Sequence, residues 1–220
     1  MSSHFLHLAT TPAVRAAQER YYGRELLTAS AGRDALSETE REFIVARDSF
    51  YLATVTEDGW PYVQHRGGPA GFVRVVGENV IAFADVRGNR QLLSTGNVAA
   101  NDRVALFFMD YPQRSRLKVL GHAKVMAADE NPGLTAELRV EGMPPAERLV
   151  RIEVVAFDWN CPKFITPRYT RAEVEEFVAP LRQRIAELEA RLAAASSGAS
   201  FEPRRDAKGS GRAGGAEFGL

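Results

Sequence analysis

Arg87-Gly88-Asn89-Arg90 places two guanidinium groups, a glycine and a carboxamide within four residues. The tetrapeptide follows the short apolar run Ile81 to Ala84, and apolar spacing resumes at Leu92 and Leu93, so it stands where a strand hands over to a helix. Backbone N–H groups at a helix start, a glycine that lets the chain approach a ligand, and two arginines are the donors that a phosphate needs. A solvated turn has the same composition, and the tetrapeptide alone does not separate the two. The stretch "PYVQHRGG" adds a second donor-rich surface. By the strand period of two, Tyr62, Gln64 and Arg66 share one face, and Val63 and His65 share the other. A later strand repeats the pattern, with Arg114, Arg116 and Lys118 at alternate positions. Lys plus Arg equals Asp plus Glu at 28 each. Three Arg-bearing segments in a chain of zero net charge suggest a local anionic ligand, with a ladder of surface ion pairs as the competing reading. The same balance argues against nonspecific binding to nucleic acid or to an anionic membrane.

Other chemistry finds less support. His65 and His122 fall on separate strands without a surrounding Cys or carboxylate pattern, so no metal site is expected. Ser94 and Ser115 lack the nucleophile elbow and paired base of a hydrolase. Cys161 is the single cysteine, which excludes an intramolecular disulfide and suits a reducing compartment. The N-terminus has no charged and then apolar leader, and no run approaches the roughly 18 apolar residues of a membrane span, so a cytoplasmic location is expected.

The elements that must position these residues are legible in outline. Thr11 and Pro12 open a helix over residues 11 to 22. Ser37 and Glu40 form a capping box ahead of "REFIVARD". From Phe50 the period becomes that of strands, with "FYLATVT", "PYVQHR", "FVRVV", "VIAFAD", "RVALFFMDY", "RLKVLGHAKVM" and "RLVRIEVVAFDW" punctuated by turn formers. With 45% apolar residues and only short helices between these runs, the expected fold is mainly β, a six-stranded antiparallel split barrel with peripheral helices. A further helix is expected near "GLTAELRV". Residues 171 to 195 read as a long C-terminal helix whose Val174, Val178, Leu181, Ile185, Leu188 and Leu192 make a coiled-coil-like seam. Pro180 is expected to kink or restart it. The expected organisation is a helical segment over residues 1–48, a barrel over 49–169, the helix over 170–195 and a disordered tail over 196–220.

The succession "FYLATVTEDGWPYVQHR", "VIAFADVRGNRQLLSTGNVAANDRVALFF" and "RLKVLGHAKV" resembles the pyridoxamine 5'-phosphate oxidase-like FMN-binding split-barrel family over roughly residues 45 to 168. In that family a Gly-x-Pro strand carries an arginine toward FMN. Here Gly59-Trp60-Pro61 leads to Gln64, with Arg66 two residues on along the same face. The family's Ser-Arg-Lys cluster on the FMN phosphate corresponds to Gly88-Asn89-Arg90, with Arg87 just before it, so the hydroxyl is lost and the terminal cation is kept. Arg116 stands where the family has a glutamine near the flavin. "DWNCPKFITPRY" offers Trp159, Lys163 and Arg168 in place of the family's substrate-holding terminus, which argues against oxidation of pyridoxamine phosphate itself. The cofactor-binding set that the resemblance implies is Gln64, His65, Arg66, Arg87, Asn89, Arg90, Arg116 and Lys163.

What the resemblance implies is an FMN-dependent oxidoreductase, assembled as a homodimer with FMN at the subunit interface and served by a small-molecule electron donor or acceptor. Positive charge from Arg66 or Arg116 beside the ring would stabilise the reduced, anionic flavin. A flavin-binding or sensing protein without turnover is one alternative, and a split barrel holding deazaflavin or haem is another.

Overall fold

The computed structural model describes residues 3–24, 32–159 and 162–198. Two compact units meet in sequence between Arg168 and Tyr169. The second contains the helix α6 (Arg171–Gly198), which continues through Pro180 as one helical segment and ends three residues later than the sequence suggests. Cys161 and the tail beyond residue 198 lie outside the described residues. Among the described residues no helix is long and apolar enough to cross a membrane.

The first unit opens with three short helices, α1 (Ser3–Ala9), α2 (Pro12–Tyr22) and α3 (Glu38–Val45). The first of these is too short for its periodicity to stand out. Thr11 caps α2 by accepting a hydrogen bond from the Val14 N–H at 3.4 Å, and Gly23 closes it in the left-handed region at φ 64°. On α3 the Glu40 carboxylate accepts from the Ser37 N–H at 2.9 Å and from the Ser37 hydroxyl, which completes the capping box. Its other oxygen takes the Trp159 indole N–H at 2.7 Å, so one buried side chain ties α3 to the far end of the sheet.

Burial pushes the Glu40 carboxyl up, but the hydrogen bonds from Ser37, Trp159 and the backbone outweigh it and leave the group below its usual range. A folded value below the unfolded one means that ionised Glu40 stabilises the fold above about pH 4.3, and that this contribution is lost as pH falls through the lowered value. Glu40→Gln should therefore cost about 1 to 2 kcal/mol at pH 7. Urea unfolding across pH measures it. An undiminished gap between wild type and variant in strongly acidic solution would show that the carboxylate charge contributes nothing.

The strands are β1 (Ser49–Val55), β2 (Pro61–Gly67), β3 (Val73–Val75), β4 (Val80–Val86), β5 (Arg103–Asp110), β6 (Ser115–Ala127) and β7 (Ala146–Trp159). They form one antiparallel sheet in the order β2-β1-β5-β6-β7-β4-β3. The sheet has seven strands rather than six, one for each β-rich run, because the three-residue β3 pairs with β4 as a full member. Helix α4 (Leu93–Ala100) follows β4, and α5 (Pro132–Glu137) supplies the helix expected near "GLTAELRV".

Alternation along the strands builds the inner face. Phe50 and Leu52 of β1, Leu106 and Phe108 of β5, Leu117 and Val119 of β6, Ile152 of β7 and Phe83 of β4 are all fully buried. Phe50 touches Phe83 edge-on at 5.3 Å and lies 5.0 Å from Phe108 and 5.8 Å from Phe72. Since β1 and β4 are far apart in the strand order, these aromatic contacts show that the sheet curls until its two ends face each other. Side chains close the curl where ladder hydrogen bonds do not. A bulge opposite Leu120 and Gly121 shifts the register of β7. Gly121 is required there, because a Cβ would stand 2.5 Å from the Glu153 carbonyl oxygen.

Candidate functional site

Cross-strand register carries the donor face of β2 into the mouth of the curled sheet. Tyr62 pairs with Thr54, Gln64 with Leu52 and Arg66 with Phe50, so the three polar side chains continue the inner face at the sheet edge. From the opposite end, β4 alternates Ile81, Phe83 and Asp85 on its inner face, and β7 sets Arg148 directly across from Asp85. The Asp85 carboxylate then joins the two ends. Its Oδ1 takes Arg66 Nη1 at 2.5 Å and its Oδ2 takes Arg148 Nε at 2.9 Å. Arg148 also reaches Glu147 at 3.2 Å.

Above this ion triad lies a cavity of about 490 Å³, within the range of small-molecule and cofactor sites. Its floor is Gln64, Arg66, Asp85 and Arg148, and its rim is the Gly88-to-Leu92 loop with the first turn of α4 at Leu93, Ser94 and Thr95. Arg90 and Leu92 are both left-handed, with φ of 61° and 54°. Two non-glycine residues in that conformation within one short loop mark stored backbone strain. The Asn89 side chain closes the loop by accepting from the Gln91 backbone N–H at 3.1 Å and donating to the Gln91 side-chain Oε1 at 3.2 Å. The first turn of α4, whose N–H groups have no intrahelical acceptor, lines the cavity through Leu93, Ser94 and Thr95. Asn97 fixes α4 to β1 through a 2.9 Å hydrogen bond to Thr54.

Two donors in this lining have no protein acceptor among the described residues. Ser94 donates to the Gln64 side-chain oxygen at 2.8 Å, leaving the Gln64 NH2 group for another acceptor. Arg66 Nε is buried and has no hydrogen-bond partner. A buried unpaired N–H costs free energy unless an acceptor meets it. Three arginines against two carboxylates leave the lining with one net positive charge.

Of the residues named from the sequence, Gln64, Arg66, Asn89 and Arg90 come together here, and Arg87 lies exposed beside them. The other three lie elsewhere. His65 faces outward and meets Tyr51 edge-on at 5.6 Å. Arg116 lies over Phe107 with its guanidinium 6.0 Å from the ring centre, and Lys163 sits over Phe164 at 5.2 Å. The Arg114, Arg116 and Lys118 series is not one donor face. Arg114 occupies a left-handed turn, and Lys118 forms an ion pair with buried Asp158 at 2.8 Å beneath the Phe5 ring. Asp85 and Arg148 were missed. Their signal was the alternation Ile81, Phe83, Asp85 and Arg148, Val150, Ile152, which puts each charge on the face of its apolar neighbours. Among the described residues no cluster of metal-binding side chains occurs.

A family model described as pyridoxamine 5'-phosphate oxidase matches residues 36–158. Similar solved structures include HupZ of Group A Streptococcus, at 14% identity over 61% of this chain and 99% of that one, with a TM-score of 0.44. General stress protein 26 of Bacillus anthracis is 16% identical over 59% of this chain and 93% of that one, with a TM-score of 0.42. An FMN-binding protein of Syntrophomonas wolfei is 11% identical over 55% and 83%, with a TM-score of 0.39. A search of curated proteins finds no match. The family model spans more than half of the 220 residues, and on that match the chain belongs to the pyridoxamine 5'-phosphate oxidase family.

Proposed function

We propose that this protein is an FMN-dependent oxidoreductase that works as a cytoplasmic homodimer with a small-molecule electron donor or acceptor. The observation that carries the reading is the unpartnered, buried Arg66 Nε at the base of a cavity rimmed by Arg90 and the start of α4. The residues present fit the group. Arg90 and the α4 N–H groups would hold the phosphate, and Gln64 and Arg66 would offer donors to the ring. FMN supplies the hydride or electron transfer. The chain's own part is to orient the ligand and supply positive charge through Arg66, which Asp85 holds in position. Departure of the loop from Ser-Arg-Lys to Gly88-Asn89-Arg90 leaves Arg90 as the main side-chain cation on the phosphate, and oxidation of pyridoxamine phosphate is not part of this reading.

The homodimer reading draws support from the outer face of β1, β2, β5 and β6. There Tyr51, Ala53, Val63, Ala105, Phe107 and Leu120 border an apolar groove. His65 and Arg116 stand on the same outer face, so pairing through it would bring them toward the second copy's flavin. Lys163 is assigned to the cofactor by the resemblance alone.

Mass spectrometry of ligand released from the purified protein, with FMN titration of any ligand-free fraction, tests the assignment. FMN should be released or taken up with a change in flavin fluorescence. Release of deazaflavin or haem, or failure to take up FMN, would overturn it. FMN binding without consumption of NADH or NADPH in the presence of added acceptors would instead favour a flavin-binding protein without turnover.

A further inference from the structure

The seam of α6 is apolar and open. Leu181 is 62% exposed and Leu192 is 68% exposed, with Val174, Ile185 and Leu188 also exposed. Spacings of four and three repeat without a slip across the helix, so a heptad frame is defined. It places Val178, Ile185 and Leu192 at a, and Val174, Leu181 and Leu188 at d. Pro180 falls at c, away from the seam.

We infer that α6 pairs with α6 of a second copy of this chain as a parallel two-stranded coiled coil. Residue types select the partner and the number of strands. Two of the three a positions are β-branched and two of the three d positions are leucine, the combination that favours parallel dimers. Charges select the direction. In a parallel pair each g position meets the e position five residues later on the other helix, which sets Arg184 against Glu189 of the second copy, twice per dimer. An antiparallel pair sets g against g, and two of the three g positions here, Arg184 and Arg191, are arginines. Within one chain Arg184 holds Glu187 at 2.9 Å. That pair is exposed and weak, so exchanging it for Glu189 of the second copy loses little. The inference does not depend on the flavin reading.

The test is disulfide trapping in the full-length chain with Cys161→Ser as background. Leu181→Cys and Leu188→Cys are made separately, with Gln183→Cys at the outward f position as the reference. In a parallel coil each d residue meets its own copy, at the separation of about 4.4 to 6.8 Å between Cα atoms that a disulfide spans. Glutathione disulfide as oxidant should convert both d-position variants to linked dimers and leave the Gln183→Cys variant largely unlinked. Adding Arg184→Glu should lower the rate of linking about two- to fivefold. Adding Glu189→Arg to that change should restore it. Positions 184 and 189 do not face each other on one helix, so the rescue reports a contact between chains. Linking equal to that of the f-position reference would overturn the coil. Linking at only one d position, or no rescue by the double reversal, would overturn the parallel arrangement. A barrel dimer alone leaves the d positions unlinked, and trapped d positions in a protein that takes up no FMN would refute only the flavin assignment.

Discussion

Arg90→Ala should weaken FMN binding roughly 30- to 150-fold, equivalent to about 2 to 3 kcal/mol, while leaving riboflavin binding nearly unchanged. The size follows from the ligand charge. A guanidinium on a doubly charged phosphate makes charge-assisted hydrogen bonds, and among the side chains of the rim loop that line the cavity Arg90 alone is cationic. Riboflavin lacks the phosphate and reports only the contacts to the ring. The left-handed backbone at Arg90, φ 61°, adds a control. Alanine keeps a Cβ in that strained conformation, whereas glycine adopts it freely. Arg90→Gly should therefore lose as much FMN affinity as Arg90→Ala without disturbing the loop. Arg90→Lys should recover part of the affinity, because charge remains but the fork is gone. Fluorescence titration of FMN and riboflavin against the four proteins measures each step. Equal FMN affinity in wild type and Arg90→Ala would refute the phosphate assignment.

The fold was legible wherever one period ran without interruption. Phe50, Leu52 and Thr54 alternate cleanly with Tyr51, Ala53 and Val55, and the structure buries the first set and leaves the second less covered. The capping box at Ser37 and Glu40 was equally readable, because its two partners are three residues apart. The bulge in β7 was not. One extra residue near Val155 reverses the faces of the strand, so Asp158 lands on the outer face of the sheet against Lys118, still buried, while Trp159 turns inward. No local pattern announces that reversal, which sets Asp158 opposite Lys118 and engages the lysine in an ion pair.

Half of the candidate site was legible for a related reason. Gln64 and Arg66 share a strand, and Asn89 and Arg90 share a loop, so neighbours in sequence revealed them. Asp85 and Arg148 are 63 residues apart and meet only because β4 and β7 are paired. A charge at the end of an apolar run reads as the place where the strand leaves the core. Only tertiary pairing shows that this charge is buried and shared.

Asp85→Ala should be the most destabilising single change at the site. Two guanidinium groups, Arg66 and Arg148, lose the one carboxylate that both bind, and their side chains are only 18% and 23% exposed. Removing one partner of a buried ion pair costs about 3 to 5 kcal/mol, and the open cavity mouth lowers the expectation here to about 2 to 4. The loss also severs the charged link between the two ends of the curled sheet, so unfolding in urea should begin at distinctly lower denaturant. Removing a second charge separates mutual dependence from simple packing. In the Asp85→Ala background, Arg66→Met should cost far less than it costs the wild type, because the guanidinium it deletes is already unpaired. An anion offers a further check, since phosphate ion can occupy the place of the missing carboxylate and stabilise the folded state by mass action. At equal ionic strength, phosphate should raise the unfolding midpoint of Asp85→Ala more than that of the wild type, relative to chloride. Additive costs for the two substitutions would show that Asp85 and Arg66 do not act as a pair, and an equal response to phosphate would show that the freed guanidinium groups do not form an anion site.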